Sequence, residues 1–314
     1  MKGVINMNIK KIGVSALAGS LMAFSANALE LSVSGGASLT FSDYGADTTN
    51  NAWGMGDGLT FTASGETDGG LTVSTSHVID GTAGMDDFSM SIGTESAGTI
   101  KFAGLGGSSA LGAVDDVMPT AYEEPWFGVT SPTKVDGNAA NNMFTYVSPT
   151  VGGATLTATY SQADSTDINS QTSWAIAFSP EAVDGLTVGY AVQEDDGLAT
   201  VVDDMTMYVK YVYGSITAGY QKSEGDSTTD SADVETEGYG ISYAVSDEIS
   251  VSYGSHTAET PNNSSDKDQE ASVVSASYVS GGMTIKASVG SVDNVGGVDA
   301  TDRDTYEISM SFAF

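Results

Sequence analysis

Two pairs of neighbouring carboxylates lie in one long stretch of the chain, residues 104–142. Asp115 is followed by Asp116, and Glu123 is followed by Glu124. Carboxylates that are held close together attract cations and raise their local concentration. The same four residues would be ordinary solvated acids if the stretch were a simple surface loop. The residue types therefore predict a cation-attracting region, and what encloses it has to be inferred from the flanking sequence.

The acid pairs are also candidate ligands for a metal ion, because carboxylate oxygens suit Ca²⁺ and Mg²⁺. Neither these pairs nor a second group of acids has the spacing of a helix–loop–helix calcium site. We therefore expect no cofactor, and at most weakly bound Ca²⁺ or Mg²⁺ that screens charge between loops. The second group consists of Glu194, Asp195, Asp196, Asp203 and Asp204.

Enzymatic chemistry has little support in the sequence. His77 and His256 are the two histidines, and the acids Asp80 and Glu259 lie close to them along the chain. Such pairs can act in acid–base catalysis, but in a chain with 41 acidic residues their proximity arises by chance. The sequence has no Gly-x-Ser-x-Gly run, His-Glu-x-x-His helix or glycine-rich phosphate loop. We predict that the protein is not an enzyme.

The elements that position the acids are predicted to be β-strands, because apolar and polar residues alternate through most of the chain. In the first such run, Leu31, Val33 and Leu39 share one face while Ser32 and Ser34 share the other. Similar runs give about sixteen strands of roughly ten residues, a length that suits tilted strands crossing a bilayer. No helical stripe of comparable length is present in the sequence.

The connections between these runs alternate between short and long. Strict alternation places tight turns at one rim of an antiparallel sheet and large loops at the other, with residues 104–142 as the third large loop. The short connections are 66–69, 95–98, 148–153, 179–185, 213–215, 246–248 and 279–282, and the long ones are 43–57, 79–86, 104–142, 162–171, 194–203, 222–236, 258–269 and 290–303.

A closed barrel accounts for both regularities. A barrel of about sixteen strands has a wide aqueous interior that apolar side chains could not fill, so the small polar residues belong inside. The apolar and aromatic faces must then contact lipid, and closure satisfies the backbone hydrogen bonds within the membrane. The predicted fold class is an all-β transmembrane antiparallel β-barrel, with residues 29–314 as its single domain.

Composition and charge indicate an exported protein and narrow its partners. Ten Lys and Arg residues against 41 Asp and Glu residues give a formal charge of −31, so nucleic acid is a poor candidate partner. Lysines precede an apolar run at 12–24, and Ala26 and Ala28 form a small-x-small cleavage pattern. Residues 1–28 are predicted to be a cleaved signal peptide. The chain has no cysteine, so disulfides cannot stabilise it.

The sequence resembles the general, trimeric porins of the Gram-negative outer membrane. The resemblance covers the whole mature chain and rests on the signal ending at Ala28, the alternating last strand ending in Phe314, and the position of the long loop. In that family the third external loop lies between the fifth and sixth strands, which here are 99–103 and 143–147. Residues 123–128 are similar to the acidic-Pro-aromatic-Gly part of that loop.

The resemblance implies a third loop that folds into the lumen and narrows it. It also implies roles for particular residues of this chain. The constriction would be formed by Asp115, Asp116, Glu123 and Glu124, the loop would be anchored by Trp126 and Phe127, and the C-terminal assembly signal would be Phe314.

The opposing wall departs from the family pattern. Many such porins place a cluster of arginines across from the acidic loop, but this chain has one arginine, Arg303. Alternation puts Lys101, Lys210 and Lys286 on the lumen-facing side of their strands. These four residues are therefore the predicted basic wall, with scattered solubilising lysines as the alternative.

The implied function is a passive, water-filled channel for ions and small hydrophilic solutes in the bacterial outer membrane. The acidic loop predicts a preference for cations. The implied partners are outer-membrane lipid, lipopolysaccharide and further copies of the chain in a homotrimer. The alternative that the sequence leaves open is an exported acidic β-protein that acts as an adhesin, a glycan-binding protein or a surface-array protein.

Overall fold

The structure, a computed structural model, describes residues 29–45, 52–81, 84–129, 135–162, 170–196, 202–227, 233–259 and 267–314. The predicted signal peptide lies outside the described residues. The described strands are β1 (Glu30–Asp43), β2 (Trp53–Glu66), β3 (Thr72–Asp80), β4 (Met85–Thr94), β5 (Gly98–Leu105), β6 (Gly107–Ser108), β7 (Ala139–Ala140), β8 (Met143–Val147), β9 (Ala154–Ser161), β10 (Ser170–Phe178), β11 (Leu186–Asp196), β12 (Val202–Tyr213), β13 (Ile216–Ser227), β14 (Val234–Ala244), β15 (Ile249–Glu259), β16 (Gln269–Ser280), β17 (Met283–Asp293) and β18 (Arg303–Ala313), with a 3₁₀ helix at Val295–Gly297.

Sixteen of the described strands form one closed antiparallel barrel. β6 and β7 pair with each other inside the long loop, so β5 pairs directly with β8 in the wall. The barrel closes where β1 pairs with β18, and two 2.9 Å hydrogen bonds between the backbones of Gly35 and Phe314 extend that seam. The predicted all-β barrel is confirmed. In the part of the chain that the structure describes, no helix is long and apolar enough to cross a membrane.

The two faces of the wall differ as the alternation predicts. In β16, Ser275 and Ser277 are buried inside the barrel, whereas Val274 and Tyr278 are 58% and 41% exposed on the outside. Large apolar side chains are exposed in the same way on the outer face of strands throughout the barrel. Because a spanning barrel meets hydrocarbon on its outside, this arrangement is stable only in a membrane.

The strands extend further at the rim of the long loops than the apolar alternation indicates. β13 continues to Ser227 and β14 begins at Val234, although the sequence pattern places a loop at 222–236. Backbone pairing does not need lipid-facing apolar residues, so the ladder continues where the side chains become charged. On this extension Nζ of Lys222 lies 2.6 Å from the carboxylate of Glu235.

The described parts of the long loop, up to residue 129 and from residue 135 to 142, fold into the barrel, which confirms the predicted position of the third loop. It leaves the wall at the end of β5 and returns at the start of β8. Two small apolar clusters join it to the inside of the wall. Their buried members are Ala110, Leu111, Ala175 and Ala191 in one, and Val129, Ala271 and Val292 in the other.

Candidate functional site

The loop follows the inner wall from β9 to β18. Its backbone N–H groups donate to side chains that alternation directs into the lumen, so small polar residues of the wall hold the loop in place. These bonds run from Ala110 to Thr159 (3.3 Å), Leu111 to Ser173 (2.9 Å), Asn138 to Gln193 (2.8 Å), Val117 to Gln221 (3.1 Å), Ala121 to Ser252 (2.8 Å) and Glu123 to Ser288 (3.2 Å).

The tip of the loop, residues 122–124, is held at Glu307, whose carboxylate lies on β18. The hydroxyl group of Tyr122 donates to its Oε1, and that of Tyr44 donates to its Oε2 over 2.6 Å. Nζ of Lys286 lies 5.1 Å from the centre of the Tyr122 ring, within the range of a cation–π contact. Tyr122 therefore connects the loop to β17 and β18 at once.

Glu123 lies beside the same carboxylate and changes charge near neutral pH. Burial raises the pKa of Glu123 to about 7, and the negative charges of Glu307 and Glu124 add to that rise. Burial, followed by the hydrogen bond to Glu307, also raises the pKa of the Tyr122 hydroxyl. The hydroxyl therefore stays protonated as a donor, while the net charge at the loop tip depends on pH.

The structure divides the predicted constriction acids into two groups. Glu123 and Glu124 are half-buried together at the tip. Asp115 is only 8% exposed, and its Oδ2 accepts a 3.0 Å hydrogen bond from the backbone N–H of Gly137. This bond joins the outgoing arm of the loop, which runs from β5 to the tip, to the returning arm, which runs from the tip to β8. Asp116, the next residue, is half-buried on the outgoing arm, away from the tip in sequence.

The predicted basic residues lie at different places around the lumen. The wall residues described above that form hydrogen bonds with the loop all lie on strands from β9 to β18. We therefore call the lumen faces of β1 to β5, on the other side, the open wall. Lys101 is exposed on β5 and belongs to the open wall. Lys210 and Lys286 lie on β12 and β17, on the arc that carries the loop. Arg303 begins β18 and pairs with Val292 at the rim of the long loops.

The two aromatic residues predicted to anchor the loop pack against the wall. The ring centres of Trp126 and His256 are 4.4 Å apart, and His256 is buried on β15. Phe127 is buried, and its ring meets that of Tyr44 edge-on with centres 6.2 Å apart. The other histidine, His77, stacks on an outward-facing phenylalanine of β4, so the two histidines lie on opposite faces of the wall.

The described residues form no assembled metal-binding site. Among them, no group of three or more His, Cys, Asp or Glu side chains is placed to hold a metal ion. Glu194 and Asp203 pair directly across β11 and β12. Like charges in that position repel each other, and a loosely bound divalent ion there stays a prediction.

Several residues that hold the loop were not singled out by the sequence reasoning. Glu307, Gln193 and Gln221 belong to polar faces of strands, and alternation is the one signal that marks them as lumen-facing. They differ from the surrounding Ser and Thr residues by carrying longer polar side chains. That difference alone could have marked them as candidates for contacts across the lumen.

Solved structures with a similar fold include porins and another outer membrane protein. The anion-selective porin from Comamonas acidovorans matches with a TM-score of 0.69 and 14% identity, over 91% of this chain and 99% of that chain. The trimer form of OmpT, an outer membrane protein of Vibrio cholerae, matches with a TM-score of 0.68 and 11% identity, over 92% of this chain and 100% of that chain. Comparison with curated proteins gives no significant match.

Identities this low show the fold alone, so the family has to be established from sequence. A family model described as Gram-negative porin matches residues 13–314, nearly the whole chain. The match includes all the barrel strands and the loop inside them. The chain therefore belongs to the Gram-negative porin family, whose members are channel proteins of the bacterial outer membrane rather than enzymes.

Proposed function

We propose that this porin is a water-filled channel for the passive diffusion of ions and small hydrophilic solutes, and that it prefers cations. The observation that carries the preference is the meeting of three carboxyl groups, those of Glu123, Glu124 and Glu307, at the loop tip. Grouped carboxylates inside a narrow passage favour cations, since the low-dielectric wall strengthens their field. The formal charge of −31 acts in the same direction.

The shape of the lumen supports passage of small hydrophilic solutes. The loop occupies the side from β9 to β18, so the open wall bounds the remaining passage. Part of the open wall lines a wide cavity of about 660 Å³, and its lining includes Ser38, Gly56, Thr60 and Ser311. The hydroxyl-bearing residues offer hydrogen bonds to polar solutes in general, and Asp57 and Asp80 in the same lining add negative charge that favours cations.

The proposed preference differs from that of one structural relative, which is named as anion-selective. At 14% identity the likeness shows a shared fold and says nothing about the charges in the lumen of this chain. Selectivity follows from the charges at the constriction rather than from the barrel. In this chain the tip presents carboxyl groups, and Lys286 contacts the face of Tyr122 beside them.

Reversal potentials across a planar lipid bilayer test the proposal. In a tenfold KCl gradient, the purified protein should give stepwise conductance and a reversal potential of the sign for K⁺ over Cl⁻. Glu124→Gln should reduce that potential. Glu181→Gln is a matched control, because Glu181 is exposed in a short connection away from the loop. Anion preference, or an equal effect of the two variants, would overturn the proposed role of the tip.

We also propose that the protein is a homotrimer in contact with lipopolysaccharide. Its exposed apolar outer face requires lipid or further protein around it, and a structural relative is named as a trimer form. Cross-linking in native outer membranes should yield a band of three chains, and a single chain after cross-linking would exclude the trimer. We further propose that Ca²⁺ or Mg²⁺ binds weakly between the acidic loops and screens their charge.

A further inference from the structure

Over five adjacent strands, one level of the lumen wall is built almost entirely of glycine. At this level, the adjacent strands β13 to β17 place five residues directly opposite one another, and four of them are glycines. Glycine is depleted inside strands because it offers no side chain to pack, and where it occurs it often marks the close approach of another segment. The residues, in order around the barrel, are Gly219, Gly240, Gly254, Val273 and Gly290. The four glycines are called the glycine row.

Loop residues occupy the space that side chains of the glycine row would need. A methyl group added at any of the four positions would come closer to the loop than non-bonded carbon atoms ordinarily approach. The distances from the added carbon are 2.7 Å to Pro119 Cδ at Gly219, 2.9 Å to Pro119 Cδ at Gly240, 2.9 Å to Pro125 Cγ at Gly254 and 2.7 Å to Phe127 Cε1 at Gly290.

Close approach to the loop itself sets the glycine row apart, because lumen-facing glycines of the open wall such as Gly56 and Gly93 would meet only neighbouring wall residues, Ser38 at 2.9 Å and Thr99 at 2.5 Å. Gly54 lies on β2 of the open wall, and a methyl group there would have no atom within 4 Å. Gly238 is the next lumen-facing residue along β14 from Gly240, yet a methyl group there would lie 3.4 Å from Cγ of the flexible Met118 side chain. The glycine row is therefore distinguished from other lumen-facing glycines by its contact with rigid proline rings, loop backbone and a buried aromatic ring.

We propose that the glycine row sets the width of the channel by letting the loop lie directly on the wall backbone. The two prolines and Phe127 span residues 119–127, the segment that includes the acidic tip. Any side chain at the row pushes this segment away from the wall and into the passage. The four glycines are positioning residues for the constriction, and this inference rests on the proposed channel function.

Conductance of matched glycine variants tests the inference. Gly219→Ala and Gly240→Ala should each lower the single-channel conductance and slow the entry of larger neutral sugars into liposomes. Gly54→Ala adds the same methyl group to the same lumen without touching the loop, so it should behave like the unchanged protein. Equal conductance in the Gly219 and Gly54 variants would overturn the inference. Heat-dependent gel mobility identifies variants that have folded, and Gly254→Ala replaces any of the row variants that does not fold.

A second substitution in the loop separates a local push from a general loss of structure. At Gly219, the atoms nearest to the added methyl group belong to the Pro119 ring and the Met118 side chain. Pro119→Ala removes that ring and should restore conductance in the Gly219→Ala protein. At Gly240, the backbone oxygen and nitrogen of Pro119 lie 2.9 and 3.0 Å from the added carbon. The same loop substitution should therefore fail to restore the Gly240→Ala protein, and rescue of both or of neither would contradict the inference.

The position of the loop can be measured without any current. The chain has no cysteine, so spin labels can be placed selectively at Ala121→Cys on the loop and Ser74→Cys on the open wall. Gly219→Ala should shorten the distance between the labels, and Gly54→Ala should leave it unchanged. An unchanged distance in both variants would overturn the inference even if the channel conducts. A protein that does not conduct but shows the shortening would overturn the proposed function alone.

Discussion

The carboxyl groups of Glu123 and Glu307 lie together at the point where the loop meets the strand that closes the barrel. Glu307 already accepts hydrogen bonds from two tyrosine hydroxyls, those of Tyr44 and Tyr122. Two neighbouring carboxyl groups in a half-buried place resist being ionised together, so one of them keeps its proton to higher pH. Here that group is Glu123, because burial and the charge of Glu307 raise its pKa to about 7.

Cation preference should therefore rise with pH. The charged form of Glu123 is lost as pH falls through about 7, so the tip carries one more negative charge above that pH than below it. One unit charge about 10 Å away across water is worth roughly 0.4 kcal/mol, or about a twofold change in cation preference. Reversal potentials from pH 5 to pH 9 should show this step. Glu123→Gln should remove the step, and a step that persists in the variant would show that another group titrates.

The midpoint of that step should depend on Glu307. Removing the negative charge of Glu307 takes away the second cause of the raised pKa of Glu123 and leaves burial and Glu124. In Glu307→Gln the step in reversal potential should therefore move to lower pH, towards the ordinary carboxyl range near 4.5. The control is Glu181→Gln, which should leave the midpoint in place. A midpoint that does not move would show that the two carboxyl groups do not interact.

The barrel itself could be predicted because its chemistry repeats. Alternation needs only neighbouring residues, so β5 and β8 lie where the sequence places them, around 99–103 and 143–147. The strand ends at the rim of the long loops could not be predicted in the same way. β17 continues to Asp293, beyond the point where apolar residues stop alternating. Backbone hydrogen bonds continue there without help from lipid, and they leave no pattern in the side chains.

The candidate site could be predicted only in part, because its partners are far apart along the chain. The acids of the loop form a local cluster, so Glu123 and Glu124 are visible in the sequence. The long polar side chain of Glu307 distinguishes it on the last strand, but alternation gives its face and not its height in the barrel, so its contact with the loop tip is not visible in the sequence. The burial of Asp115 likewise depends on Gly137, which returns to it only after the loop has folded.

Neutralising Lys101 should increase cation preference, because this lysine lies exposed on the open wall. Lys101→Gln removes one positive charge from the passage, so the permeability ratio should shift by about twofold, again with roughly 0.4 kcal/mol for a charge about 10 Å away. Lys222→Gln is the matched control, since Lys222 lies on the outer face with its ammonium group 3.2 Å from Glu224. Reversal potentials at low and high salt should show the effect of Lys101 shrinking as salt screens it.

Asp115 and Asp116 should differ sharply although they are neighbours. Asp115→Asn weakens the acceptor that holds Gly137, so the two arms of the loop should separate more often and the current should become noisier. Replacing a buried carboxylate acceptor costs about 1–3 kcal/mol. Asp116→Asn alters the same acidic pair but leaves the bond between Asp115 and Gly137 in place, so it should add less noise than Asp115→Asn. Single-channel recordings of the two variants under identical conditions make the comparison, and equal noise in both would contradict the structural part assigned to Asp115.

Trp126 should keep the loop against the wall. Its ring packs on buried His256, and it contacts the cluster of Val129, Ala271 and Val292. Trp126→Ala should remove roughly 2 kcal/mol of this packing, about half the value for a fully buried aromatic residue. The loop should then leave the wall transiently, which gives frequent partial closures in single-channel recordings.

Trp174→Ala provides the control for Trp126, because Trp174 is a tryptophan of the same barrel whose side chain is 45% exposed on the outer face. Its loss should alter insertion into lipid without adding closures to an inserted channel. Trp126→Phe keeps an aromatic ring near His256 and should fall between the alanine variant and the unchanged protein. If Trp126→Ala conducts as steadily as Trp174→Ala, the hydrogen bonds from the loop backbone to Ser252 and Ser288 hold the loop without the ring.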